Sequence, residues 1–125
     1  VSQDRQFFIS GSMFAALGVA AGAFGVHALE DRLTPELLSI FETGARYQLI
    51  HALALLAVAW ASTRWSGKPI SIAGWAFVIG IIIFSGSLYT LSLTGIRILG
   101  AITPIGGVAF IVGWISLAWS AWKDR

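Results

Sequence analysis

The sequence contains no cysteine. That excludes a disulfide framework, a thiolate nucleophile and any cysteine-based metal site, and it leaves the redox compartment open. Charge is scarce too: 11% of residues are charged, against roughly 25% in a soluble domain. No cluster of Lys or Arg is long enough to suggest a nucleic-acid surface, so nucleic acid is not an expected partner. Every Asp and Glu lies outside or at the edge of a long apolar run, which argues against proton-coupled antiport through an embedded acid. The G-x-S-x-G and H-E-x-x-H motifs, a Gly-rich phosphate loop and acids at catalytic spacing are all missing, so the expectation is a protein that is not an enzyme. In their place, 57% of the 125 residues are hydrophobic and the mean hydropathy is +0.82. A single domain of this length cannot hide so much apolar surface in its own core, so lipid must be the solvent for much of it.

Four apolar stretches stand out, at about 7–29, 45–63, 72–94 and 99 (or 104)–122. Each is close to the ~20 residues that span a ~30 Å hydrocarbon core as a helix. They are long, do not alternate, and are rich in Ala, Leu and Gly, which argues against strands. The first is too long for a cleaved signal segment of ~7–15 apolar residues and reads as a retained span. Thr34-Pro35-Glu36 reads as an N-cap, a first helical residue and an acid facing the helix dipole. Residues 35–43 (PELLSIFET) therefore predict a short interfacial amphipathic helix leading into the second span at Gly44, continuously or with a bend. Thr103-Pro104 reads as a second N-cap pair; as a sign of an internal hairpin repeat, two dipeptides are treated as coincidence. The expected fold is all-α, a single integral domain of four transmembrane helices.

With four spans, both termini share a side. Arg5, Arg64, Lys68, Lys123 and Arg125 fall there, against Arg32, Arg46 and Arg97 opposite, so five basic residues against three favour cytoplasmic termini. Trp60, Trp65, Trp75, Trp119 and Trp122 cluster at span ends on the terminus side, with Trp114 in the same half. They read as an aromatic belt that anchors the protein at one headgroup layer.

Gly11, Ala15, Gly18, Gly22 and Gly25 recur at spacings of four and three along the first span and include one GxxxG. Packing within the chain is the preferred reading, with homodimerisation the alternative. Ala16, Ala20 and Ala23 line much of the other side, so the first span is expected at the centre of the bundle.

Polar groups gather in the half away from the termini. They are His27, Glu42, Arg46, Tyr47, Gln48, His51, Ser85, Ser87, Tyr89, Ser92, Arg97 and Thr103, with Glu42 and Arg46 spaced as an i,i+4 ion pair. Hydroxyls in membrane helices often bond their own i−4 carbonyl or bridge helices, and a structural reading of the cluster is preferred. Three sharper readings compete: haem or metal held by His27 and His51, a proton or small-solute site, and an accessory subunit docked on a larger membrane complex or on itself.

GAFGVHAL (22–29), FETGARYQLIHALALL (41–56), FSGSLYTLSLTG (84–95) and ITPIGG (102–107) touch all four spans in order. Together they resemble the bacterial YgdD/YwdK-like family of small membrane proteins, which has eukaryotic transmembrane relatives. The resemblance implies a four-span inner-membrane protein and no established activity or cofactor. It also implies a shared core, here Gly22, Gly25, His27, Gly44, Arg46, Tyr47, His51, Ser85, Gly86, Ser87, Tyr89, Thr103, Pro104 and Gly106.

Overall fold

Each apolar run becomes a helix in the computed structural model, which describes residues 1–123; no strand occurs among them. Arg125, counted above on the basic side, lies outside the described residues. Helix α1 is Gln3–Leu29, α2 is Pro35–Ala61, α3 is Lys68–Thr94, and α4 is Thr103–Lys123, entered through a 3₁₀ turn at Arg97–Ala101. Two of the four loosen into π-helix midway, α1 at Ala20–Gly25 and α3 at Ile81–Ser85. Gly95 ends α3 in the left-handed region at φ 73°, a conformation glycine adopts without steric cost.

Three segments are long and apolar enough to cross a membrane: Gln3–Leu29, Lys68–Thr94 and Arg97–Lys123. Helix α2 is as long, at 27 residues, but Arg46, Tyr47, Gln48 and His51 dilute its apolar character in one half. The segment expected as a short helix leading into the second span is the opening of α2 itself, joined to it continuously and not by a bend. Thr34 caps it, accepting a bond from the Leu37 N–H at 3.2 Å, and nothing at Gly44 interrupts the helical backbone. Thr103, by contrast, is already helical, and its hydroxyl meets Ser87 at 2.6 Å and donates weakly to the Leu99 carbonyl. The N-cap expected of Thr103 is therefore absent, because that hydroxyl is drawn sideways to α3.

The helices sit as a row of neighbours, α1 on α2, α2 on α3 and α3 on α4, with little contact between α2 and α4. The expected central position of α1 is overturned. Only Phe7, Gly11 and Gly18 of α1 are buried, whereas eleven residues of α2 are. The reason is that just one side of α1 is used: Ala16, Ala20 and Ala23 face outward. Gly11 lies against the Ala52 carbonyl and Leu55, and Gly18 against Leu49, while Gly22 is exposed and Ala45 would meet an added Cβ only at 3.8 Å. Between α3 and α4 the close approach comes from glycines: the rings of Phe77 and Phe110 seat on Gly113 and Gly80, and the Phe84 backbone lies against Gly106. The apolar core (Phe7, Leu55, Val58, Ile70, Phe77, Ile81, Phe110 and small residues between them) lies mostly in the half of the terminal segments, leaving the polar groups to the other half.

Candidate functional site

Helix α2 carries its polar residues on two sides, and the two sides do different things. Toward α1 and α3, the Gln48 amide donates to the Phe14 carbonyl of α1 at 2.8 Å and accepts from the Tyr89 hydroxyl of α3 at 2.7 Å. Ser85, the last residue of the α3 π-segment, donates to the Gly44 carbonyl at 2.7 Å. Gly44 is the position that lets Tyr89 come this close, since a Cβ there would press on its ring. Gln48 and Ser85 are buried, and these bonds tie three helices together where apolar packing alone would leave amide and hydroxyls without water.

Toward α4, His51 is buried and held on every side. Its ring stacks on Phe110 with centroids 3.5 Å apart and planes 5° apart. The Trp114 indole N–H points at Nε2 at 3.0 Å, and Nδ1 lies 2.8 Å from the Tyr47 carbonyl. An indole N–H only donates and a carbonyl only accepts, so the proton sits on Nδ1 and Nε2 is the acceptor. Both nitrogens are thereby occupied.

The remaining expected residues divide clearly. Ser87 joins Thr103 across α3 and α4, and Ser92 bonds locally to the Tyr89 carbonyl at 2.9 Å. His27 is far out: its side chain is 81% exposed, and its ionic neighbour is Glu30 at 3.9 Å. No hydrogen bond or ring contact joins His27 to His51. Among the described residues no set of three or more His, Asp or Glu gathers as metal ligands. Glu42 and Arg46 are exposed and do not pair; the ion pairs among the described residues are His27–Glu30 and Arg97–Glu36. Arg97 instead reaches Glu36 at 2.7 Å, and that bond together with the guanidinium charge pulls the Glu36 carboxyl below its usual range. Neither Ser85 nor Ser87 bonds to a histidine: Ser85 goes to Gly44 and Ser87 to Thr103 and the Phe84 carbonyl.

Sequence reasoning missed Trp114, Phe110 and Phe14 as partners of the polar groups, and Glu36 as the mate of Arg97. Trp114 alone carried a signal, since it lies deeper from the α4 end than Trp119 and Trp122. Between α2 and α4 an open groove of ≈ 600 Å³ runs from Arg46 and Tyr47 past Ile50, Val108 and Ile111 to Trp114.

The family described as a protein of unknown function (DUF423) matches residues 21–107, the stretch holding all of these polar contacts except the Phe14 carbonyl of α1 and the α4 end of the His51 site. The chain belongs to the DUF423 family. Relatives run almost the whole length. A UPF0382 membrane protein of Bacillus subtilis, YwdK, is 48% identical over 120 residues, covering 95% of this chain and 98% of the relative. One from Staphylococcus epidermidis is 50% identical over 113 residues, covering 90% and 92%, and one from Staphylococcus saprophyticus 49% over 119, covering 95% and 98%. No solved structure matches. The resemblance read from the four motifs is thus shown, and membership makes this DUF423 chain a membrane protein, with a lipid bilayer as its environment.

Proposed function

We propose that the chain is a four-span, non-enzymatic accessory protein of the bacterial cytoplasmic membrane, with both termini in the cytoplasm, which works by contact with another membrane protein or with itself. One observation carries this reading. No buried side-chain nitrogen or oxygen among the described residues lacks a hydrogen-bond partner, so the polar cluster is spent on holding helices, while α1 keeps an unused outer face of small residues. A reacting group needs a free lone pair or proton aimed at open space, and neither His51 nor Ser85 offers one. The fourth crossing is assigned to α2 because the loops on either side of it are short. The orientation rests on the basic residues and on Trp60, Trp75, Trp119 and Trp122, all of which are exposed.

Since the chain has no cysteine, each introduced thiol reports alone. A membrane-impermeant maleimide should label Asp31→Cys and Ile98→Cys in intact bacterial cells, and Lys123→Cys only after permeabilisation; the reverse pattern would overturn the orientation. In gently solubilised native membranes the protein should migrate on a native gel above the mass of one chain. Migration solely as a single chain would overturn the accessory role.

A further inference from the structure

The groove between α2 and α4 has a polar mouth with unspent donors and an apolar length. Arg46 stands at the mouth, exposed, with no carboxylate within 4.0 Å among the described residues. Beside it the Tyr47 hydroxyl bonds to no described group; Tyr47 enters the hydrogen-bond network only through its backbone carbonyl. From Arg46 to Trp60 the helix rises about 21 Å. With Trp60 at one headgroup layer, Arg46 lies in the outer part of a ~30 Å hydrocarbon core. An uncompensated guanidinium at that depth is costly and calls for an anion, and the anion there must arrive with an apolar tail. Below the mouth, Ile50, Val108 and Ile111 supply an apolar wall, and Gly107 leaves width, since the nearest atom to an added Cβ is Phe84 Cδ2 at 4.0 Å.

We infer that this groove is a binding site for an anionic phospholipid of the outer leaflet, its phosphate held by Arg46 and Tyr47 and one acyl chain laid along α4 toward Trp114. The charge complementarity sets the headgroup: a guanidinium fork and a phenol match phosphate oxygens, and net negative charge distinguishes the ligand from a zwitterionic lipid. The inference rests on the four-span placement for the depth of Arg46 and on the proposed orientation for the leaflet, and is independent of the accessory role.

The test is native mass spectrometry of the purified full chain in mild detergent, with phosphatidylglycerol and phosphatidylcholine of matched acyl chains in equal amounts. The single-chain species should carry phosphatidylglycerol in about fivefold preference, the effect expected of one basic group. Arg46→Gln should bring that preference to about one, Arg46→Lys should keep part of it, and Gly107→Leu should reduce occupancy by either lipid. Arg46 has no protein partner to lose, and helical circular dichroism unchanged in Arg46→Gln ties its loss of preference to the guanidinium. Equal occupancy by the two lipids in wild type, or undiminished preference in Arg46→Gln, would overturn the inference. So would binding of inorganic phosphate or deacylated glycerophosphoglycerol as strongly as the intact lipid, or a dimer in which neither lipid binds. The detergent assay needs neither partner nor orientation, so its failure is separable from failure of the labelling and native-gel experiments.

Discussion

Replacing His51 with alanine removes three things at once, and each can be sized. The ring is 4% exposed and lies flat on Phe110, so a stacking loss of about 1 kcal/mol is expected beyond plain burial. The bonds to Trp114 and to the Tyr47 carbonyl contribute about 0.6 kcal/mol each on the scale measured between membrane helices. The vacated space adds a packing loss of about 1 kcal/mol, bringing the total near 3 kcal/mol, inside the range of roughly 2–5 for large-to-alanine core changes. For a chain of this length that is a fall in Tm on the order of 10 °C. His27→Ala, whose side chain is 81% exposed, should stay within about 0.5 kcal/mol of wild type. The assay is thermal unfolding in mild detergent followed by circular dichroism, with His51→Phe as the discriminating third variant. Phenylalanine keeps the stack and loses only the polar bonds, so it should fall between the other two. Equal losses for His27→Ala and His51→Ala, or a His51→Phe protein as unstable as His51→Ala, would refute the account of His51 as a ring held mainly by stacking and packing together, with the polar bonds the smaller share.

Gln48→Leu and Tyr89→Phe should each destabilise by about 1 kcal/mol, and a double-mutant cycle in the same thermal assay should give a coupling of about 0.6 kcal/mol through their shared bond; strict additivity would break the proposed link between α2 and α3. Gly106→Ala would drive a methyl into the backbone of Phe84 and should cost about 1–3 kcal/mol, whereas Gly86→Ala meets nothing within 4 Å and should be neutral or stabilising by up to about 1 kcal/mol. A large loss at Gly86 would reveal a partner on that side of α3. The Glu36 carboxyl is lowered from 4.5 by Arg97, so its folded form holds the proton less tightly than the unfolded chain does. The pair's contribution is then present above pH 4.5 and lost as pH falls through the folded value. Glu36→Gln should therefore be slightly less stable than wild type at neutral pH and low salt, and match it in strong acid or at high salt; a gap that widens in acid would contradict the sign.

What was legible in the sequence was whatever depends on a single helix. Long apolar runs gave helices within a few residues of their observed ends, and Thr34-Pro35 marked the start of α2 because capping is local chemistry. Which helix lies at the centre was not legible. The small residues of α1 promised two contact sides, yet a smooth face says only that a neighbour can come close, and the chain supplies a neighbour on one side alone. The better guide would have been polarity. Gln48 and His51 cannot face lipid without a partner, so the helix carrying them has to be surrounded. The Glu42–Arg46 expectation failed for a related reason: i,i+4 spacing permits a pair, but at an exposed site its energy is small enough for Arg46 to turn into the groove instead. His27 and His51 were linked only by being the two histidines of the chain, and no spacing rule acts between residues on separate helices.

The two hairpins also share more than their Thr-Pro dipeptides. Thr34-Pro35 is followed by Phe41 and Gly44, and Thr103-Pro104 by Phe110 and Gly113, the same T-P-x₅-F-x₂-G pattern in both. In each copy the phenylalanine lies on a glycine of the helix before it, Phe41 on Gly25 and Phe110 on Gly80, and the glycine of the motif receives a ring from α3, Tyr89 at Gly44 and Phe77 at Gly113. The partners differ in position, since Gly25 precedes Phe41 by 16 residues and Gly80 precedes Phe110 by 30. Tyr89 comes from the helix after its glycine, whereas Phe77 comes from the helix before. The likeness is therefore one of packing chemistry, and no repeat of the chain is needed. The halves then diverge where their surroundings differ. Beyond the shared motif α2 carries Gln48 and His51, and α4 carries Leu117 and Ser120 at the same offsets. Helix α2 has neighbours on two sides and can satisfy polar groups across both. Helix α4 packs on α3 and meets α2 only where Phe110 and Trp114 reach His51, and a glutamine facing outward from it would meet only lipid. The same packing motif, with polar groups tolerated only on the helix that is surrounded, accounts for both the likeness and the asymmetry. It also explains why the groove opens beside α4: the second hairpin has no third hairpin to cover it.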